Sequence, residues 1–116
     1  MSLSGAHRSA FRREVPLEGR VYSIRDGGGF PISRATDGTR AVPFWSRESR
    51  ARKVVDQVAA YRTFDVVAID MTEWLDRWLP DLERDGVLAG LNWAGPRATG
   101  YDMAPGQIAG WLAEVS

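Results

Sequence analysis

Residues 64–93 read FDVVAIDMTEWLDRWLPDLERDGVLAGLNW, and the changes of period along this stretch decide the fold. Phe64 to Ile69 is apolar except for Asp65, and a β-branched run of this length predicts an internal strand covered on both faces. Asp70, with Glu73 three residues on, forms a capping-box-like start to a helix whose apolar face is Met71, Trp74, Leu75, Trp78 and Leu82. Pro80 has no N–H to give and must kink or divide that helix. Gly86 closes it by taking the left-handed conformation, and Val87 to Trp93 is a second apolar strand.

Working outward, Ser46 reads as an N-cap for a helix over about 47–61, with Glu48 in its first turn and Ala51, Val54, Val55 and Val58 at helical spacing. Thr39 to Trp45 precedes it as a strand, entered through a tight Asp37-Gly38 turn. Phe30 to Arg34 reads as another strand, placed at a sheet edge because Pro31 cannot donate to a ladder. The triple glycine 27–29 turns the chain after Arg20 to Arg25, whose alternation is that of a strand. A short helix is expected at about 7–15, and residues 1–6 read as a frayed, tag-like start. Residues 94–102 form a loop with room for short pairing, and Pro105 opens a last helix with the stripe Ile108, Trp111, Leu112 and Val115. The expected fold is α+β: a single domain over 7–116 with a mixed sheet. That sheet combines an N-terminal antiparallel meander with C-terminal strand-helix-strand crossovers, and helices pack against it.

The chain has 116 residues, of which 44% are hydrophobic and 26% charged, as befits an ordinary globular domain. No apolar run approaches the roughly 20 residues of a membrane-spanning helix, so neither membrane nor secretion is expected and the cytoplasm is the expected location. Net charge is zero, which gives no reason to expect nucleic acid as a partner. The total hides an asymmetry: residues 1–58 carry 11 basic and 6 acidic side chains, residues 59–116 carry 4 and 9. Such halves also permit head-to-tail pairing in a symmetric homodimer.

The succession Val42-Pro43-Phe44-Trp45-Ser46, an Ala-rich helix, Trp74-Leu75, Trp78-Leu79-Pro80, Leu82, Asp85-Gly86 and Gly90-Leu91-Asn92-Trp93 resembles the small bacterial family catalogued as domain of unknown function 2750. The resemblance covers roughly residues 10–115. It implies a size and a pattern, but no activity, and it supplies no functional residue.

The residues give little to a catalyst. There is no cysteine, hence no disulfide, thiolate metal site or cysteine nucleophile. His7 is the only histidine and falls at the expected frayed start, where it reads as an exposed surface residue and not as part of a triad or metal site. Gly27 to Gly29 lacks the Lys-Ser/Thr of a phosphate loop, and Asp81, Glu83 and Asp85 mimic a calcium loop whose twelfth position is Asn92 instead of Glu. No cofactor or metal is expected, and an enzyme is not the favoured reading. Trp74, Trp78 and Trp111 lie on apolar stripes and read as core. Trp45 and Trp93 each end a strand. If those strands run parallel, Trp45, Ser46, Asp70, Asn92 and Trp93 share the carboxyl edge of the sheet, with Arg47, Arg50 and Arg97 beside them. This cluster is the candidate site, able to take a carboxylate, a phosphate or an acidic surface, while the structural alternative makes the same residues caps and core closure. The expected function is a non-catalytic protein-interaction module, of inhibitor or immunity-adaptor type, with an unknown protein partner; the alternative is a small-molecule or anion-binding domain at the Trp45/Trp93 edge.

Overall fold

The computed structural model describes residues 3–95 and 97–113 of the chain. The order is α1 (Leu3–Glu18), β1 (Arg20–Arg25), β2 (Ser33–Arg34), β3 (Arg40–Phe44), α2 (Glu48–Gln57), a 3₁₀ turn (Ala59–Tyr61), β4 (Asp65–Asp70), α3 (Met71–Glu73), a π turn (Trp74–Trp78), α4 (Leu79–Asp85), β5 (Val87–Ala94), β6 (Thr99–Met103) and α5 (Pro105–Ala113). This is an α+β domain built on mixed strand pairing. The first helix starts at Leu3, well before residue 7, so His7 sits inside a helix and not at a frayed end.

Four strands pair in the order β2-β3-β5-β6, with β3 and β5 parallel and the outer pairs antiparallel. β1 and β4 form a separate antiparallel pair, Arg20 opposite Asp70 and Arg25 opposite Asp65. The two sets touch where Tyr22 and Trp45 exchange backbone hydrogen bonds of 2.8 and 2.7 Å. The pairing differs from the expected meander: β2 lies on β3 and not on β1, and β4, read as internal, stands at an edge beyond β1. The two short crossovers expected in the second half are replaced by one long connection from β3 to its parallel neighbour β5.

Pro43 explains the split. Backbone groups of alternate residues point to the same side of a strand. Trp45 faces β1 on one side of β3, and Ala41, paired with Ser33, faces β2 on that same side. Pro43 lies between them and has no N–H, so no strand can pair there; its carbonyl instead accepts a 2.8 Å hydrogen bond from the buried Ser23 hydroxyl. β2 ends before this gap and β1 begins after it.

Cores lie on both faces of the sheet. On one, Phe11 and Val15 of α1, Trp74, Leu79 and the α5 residues Ile108, Trp111 and Leu112 cover Val21, Phe44, Ile69 and Leu91. Trp74 and Trp78 both meet Phe44 edge-on or nearly so, with centroids 5.2 and 5.8 Å apart. On the other, Ala51, Val54 and Val58 cover Tyr22, Ile24, Trp45 and Trp93. Pro80 does not break the helical run from Met71 to Asp85, and a π turn accommodates it. The Leu79 N–H reaches five residues back to the Trp74 carbonyl, and Pro80 then enters α4 at its first turn, where an N–H is not required. Gly86 closes α4 in the left-handed region, at φ +70°.

Candidate functional site

β3 and β5 run parallel, so Trp45-Ser46 and Asn92-Trp93 emerge side by side, as the sequence led one to expect. Asn92 has φ +52°, a left-handed conformation that Asn tolerates, and the β5–β6 register shifts between Leu91 and Ala94. The bulge folds the Trp93 ring back over Gly90, where any side chain would overlap it. Both indoles are buried and both N–H groups are used: Trp45 Nε1 donates to the Trp93 carbonyl at 2.8 Å, and Trp93 Nε1 to Asp102 Oδ1 at 2.9 Å.

Beside them lies a residue that the sequence reading passed over. Glu14 of α1 is only 4% exposed, yet its carboxylate is fully engaged. The Ser46 hydroxyl donates to Oε1 at 2.6 Å, and Arg50 donates from Nε to Oε1 at 2.9 Å and from Nη2 to Oε2 at 2.8 Å. Arg47 Nε stands 3.4 Å from Oε2. Asn92 completes the network: its Oδ1 accepts from the Ser46 N–H at 2.9 Å, and its Nδ2 donates to the Ser46 hydroxyl at 2.9 Å and to the His7 carbonyl at 3.4 Å. Among the described residues, Glu14, Ser46 and Asn92 are three of the four buried polar side chains, the fourth being Ser23.

This arrangement ties α1, on one face of the sheet, to the first turn of α2, on the other, through the end of β5. Ser46 is therefore not the N-cap of α2; that position is Arg47, which makes no side-chain cap bond, and the Ser46 hydroxyl serves Glu14 instead. Desolvation of the buried carboxyl would raise the Glu14 pKa, but the hydrogen bonds from Arg50 and Ser46 and the charges of Arg50 and Arg47 outweigh it, and the pKa is lowered. Arg50 is correspondingly held in its charged form, chiefly by its hydrogen bond with Glu14.

The other candidates stand apart. Asp70 caps its own helix, accepting from the Thr72 N–H at 2.9 Å and the Glu73 N–H at 3.3 Å, and β1 separates it from Trp45. Arg97 is exposed, with no bond to the cluster. His7 is half-buried, with Nδ1 enclosed and unpartnered; desolvation, then the charge of Arg50, lowers its pKa. It lines, with Arg50, Lys53, Asn92 and Trp93, a pocket of about 100 Å³, small beside the roughly 300–1,000 Å³ of typical ligand sites. The Asp102 carboxyl is pushed up by desolvation against the Trp93 ring, a shift that the indole hydrogen bond opposes. Chemically the cluster positions helices; the ionised, fully hydrogen-bonded Glu14 is a poor proton acceptor near neutrality.

Two wider depressions lie elsewhere. One, of about 350 Å³, runs along the helix between Glu73, Arg77, Trp78, Asp81, Leu82 and Asp85. The other, of about 400 Å³, opens beside β4 between Arg25, Phe30, Val67, Ile69, Glu73 and Trp78. They share Glu73 and the half-buried Trp78, whose ring meets Phe30 edge-on at 4.7 Å. Trp78 thus differs from its fully buried neighbour Trp74, although both lie on the same predicted stripe.

Among known proteins, one family model matches, described as a protein of unknown function (DUF2750), over residues 8–112. The chain belongs to that family. No curated protein matches it. Among the described residues no helix is long and apolar enough to cross a membrane, and no three acidic or histidine side chains gather as a metal site would require.

Proposed function

We propose that this member of the DUF2750 family is a non-catalytic protein-interaction module of the bacterial cytoplasm, acting as an inhibitor or immunity-type adaptor. The observation that carries this reading is Trp78, half-buried where the two depressions meet on an acidic surface. A partly exposed tryptophan at the meeting of two depressions with charged rims is the kind of anchor on which protein interfaces are built. Its placement in a π turn, a feature enriched at functional positions, supports the same reading. The polar cluster at the carboxyl edge supports it from the other side, because Arg50 and Ser46 are already used by Glu14.

The test is retention of proteins from the organism's own lysate at low salt by immobilised wild-type chain and by Glu73→Lys, which reverses charge at the junction without touching the core. A protein held in near-equal amount by wild type and lost by the variant is expected. An identical retained set on both would place the interaction elsewhere or nowhere.

A second reading has one observation in its favour. Lys53, which is exposed, lines the small pocket at Trp93 together with His7, which suits a small anion. Thermal shifts with phosphate or acetate that vanish in Lys53→Gln would support it.

A further inference from the structure

We propose that the interaction surface works by strand addition: an extended, basic segment of the partner pairs with the free edge of β4. This rests on the interaction reading and specifies its mode and the chemistry of the partner.

The backbone geometry identifies the free groups. Tyr22 directs its N–H and C=O toward Trp45, so Val21 and Ser23, its neighbours in β1, direct theirs toward β4. Their opposite numbers are Ile69 and Val67, which therefore face β1. Val66 and Ala68 must face the other way. Among the described residues β4 has no second neighbouring strand, and no hydrogen bond from them reaches the backbone of Val66 or Ala68. Ala68 is exposed.

Natural sheets guard such an edge with lysine, proline, a bulge or a very short strand. Between its terminal Asp65 and Asp70, β4 carries none of these: it is six residues long, unbulged, and reads Asp-Val-Val-Ala-Ile-Asp. Its composition is that of an internal strand, and its second neighbour is missing. The depression at Phe30, Val67 and Trp78 lies alongside and offers room for side chains on one face of an added strand, as such recognition requires.

Charge selects the occupant. Asp65 and Asp70 end the strand and Glu73 lines the depression beside it, against the single basic side chain of Arg25. A second copy of the chain pairing through β4 would bring two such edges together, and like charges within the Debye length of about 8 Å repel. A strand bearing Lys or Arg is attracted.

A display library of random twelve-residue peptides, panned on immobilised wild-type chain, tests this directly. Enriched peptides are expected to alternate apolar residues with Lys or Arg, and to bind Ala68→Pro at least tenfold more weakly than wild type, since that substitution removes an outward N–H and leaves the β1 ladder intact. Amide exchange on the wild type provides a reading independent of any variant: the bound peptide slows Val66 and Ala68, while Val67 and Ile69 stay as they were. Absence of enrichment, or peptides that bind both proteins equally without protecting Val66 and Ala68, overturns strand addition. If such peptides are nevertheless lost in Glu73→Lys, the interaction surface stands and only its mode is wrong. A dimer of the free chain that Ala68→Pro dissolves overturns the basic partner in favour of a second copy.

Discussion

The carboxyl edge of β3 and β5 and the outer edge of β4 are built from similar material and end in opposite conditions. At the first, Glu14, Ser46, Arg50 and Asn92 leave hardly a donor or acceptor without a partner inside the chain. At the second, an apolar strand presents Val66 and Ala68 with nothing opposite. Charged and aromatic residues at a strand end therefore do not mark a binding site by their type. What separates a structural cluster from an interface is whether the hydrogen-bonding capacity is used within the fold, because an unpaired group tolerated at the surface is available to a partner while a buried one is not.

The sharpest way to break this contrast is a pair of prolines one residue apart. Val67→Pro removes an N–H facing β1 and should cost about 3 kcal/mol or more in a denaturant titration, whereas Ala68→Pro should change stability by less than about 1 kcal/mol. Equal losses would mean that the inferred direction of the β4 backbone is wrong. Next in size, Arg50→Ala leaves Glu14 buried with only Arg47 and Ser46. It should cost about 2–3 kcal/mol, toward the low end for a buried pair because the Arg50 side chain is 38% exposed. Arg52→Ala, which breaks the exposed Arg52–Glu48 pair, is the control and should cost under about 0.5 kcal/mol.

Acid extends the same comparison. Because the Glu14 pKa is lower in the folded chain than in the unfolded one, its contribution is fully present above the ordinary glutamate range near pH 4 and disappears as pH falls through the folded value. Urea midpoints followed from pH 7 to pH 3 should therefore fall more steeply for wild type than for Glu14→Gln; parallel curves would show that the cluster contributes nothing through charge. A smaller effect than at Arg50 is expected at Asp70, where Asp70→Ala removes an exposed cap and should lower stability by about 1 kcal/mol.

Periodicity made most elements legible. The strands at 20–25, 39–45 and 87–93, the Asp70 cap and the Gly86 stop all lie within a residue or two of their expected places, because local chemistry sets them. Pairing was less legible, since it depends on which backbone groups find partners far along the chain. The β-branched run at 64–69 predicts burial on two faces, but in β4 only Ile69 is buried, Val66 and Val67 are half-buried and Ala68 is exposed, and burial of faces says nothing about edges. The signal for pairing there is Pro43, a proline within a strand that weighs as much as Pro31. The parallel placement of Trp45-Ser46 beside Asn92-Trp93 follows once their strands run parallel, whereas Glu14 comes from a different element, α1. Its signal lies in the spacing: His7, Ala10, Phe11, Glu14 and Val15 fall on one helical stripe, and a carboxylate within an apolar stripe requires a buried counterpart. Arg50 is that counterpart, supplied from a helix that no local rule connects to α1.

The gap at Pro43 also divides the molecule for anyone wishing to rebuild it. β2 and its Asp37-Gly38 turn hang from the first half of β3 alone, upstream of the residue where pairing stops, and everything from Tyr22–Trp45 onward is registered without them. The exposed turn at Asp37-Gly38 is thus the natural port for cargo: a fluorophore, an affinity handle or an inserted domain carried there leaves both the Glu14 cluster and the β4 edge in place.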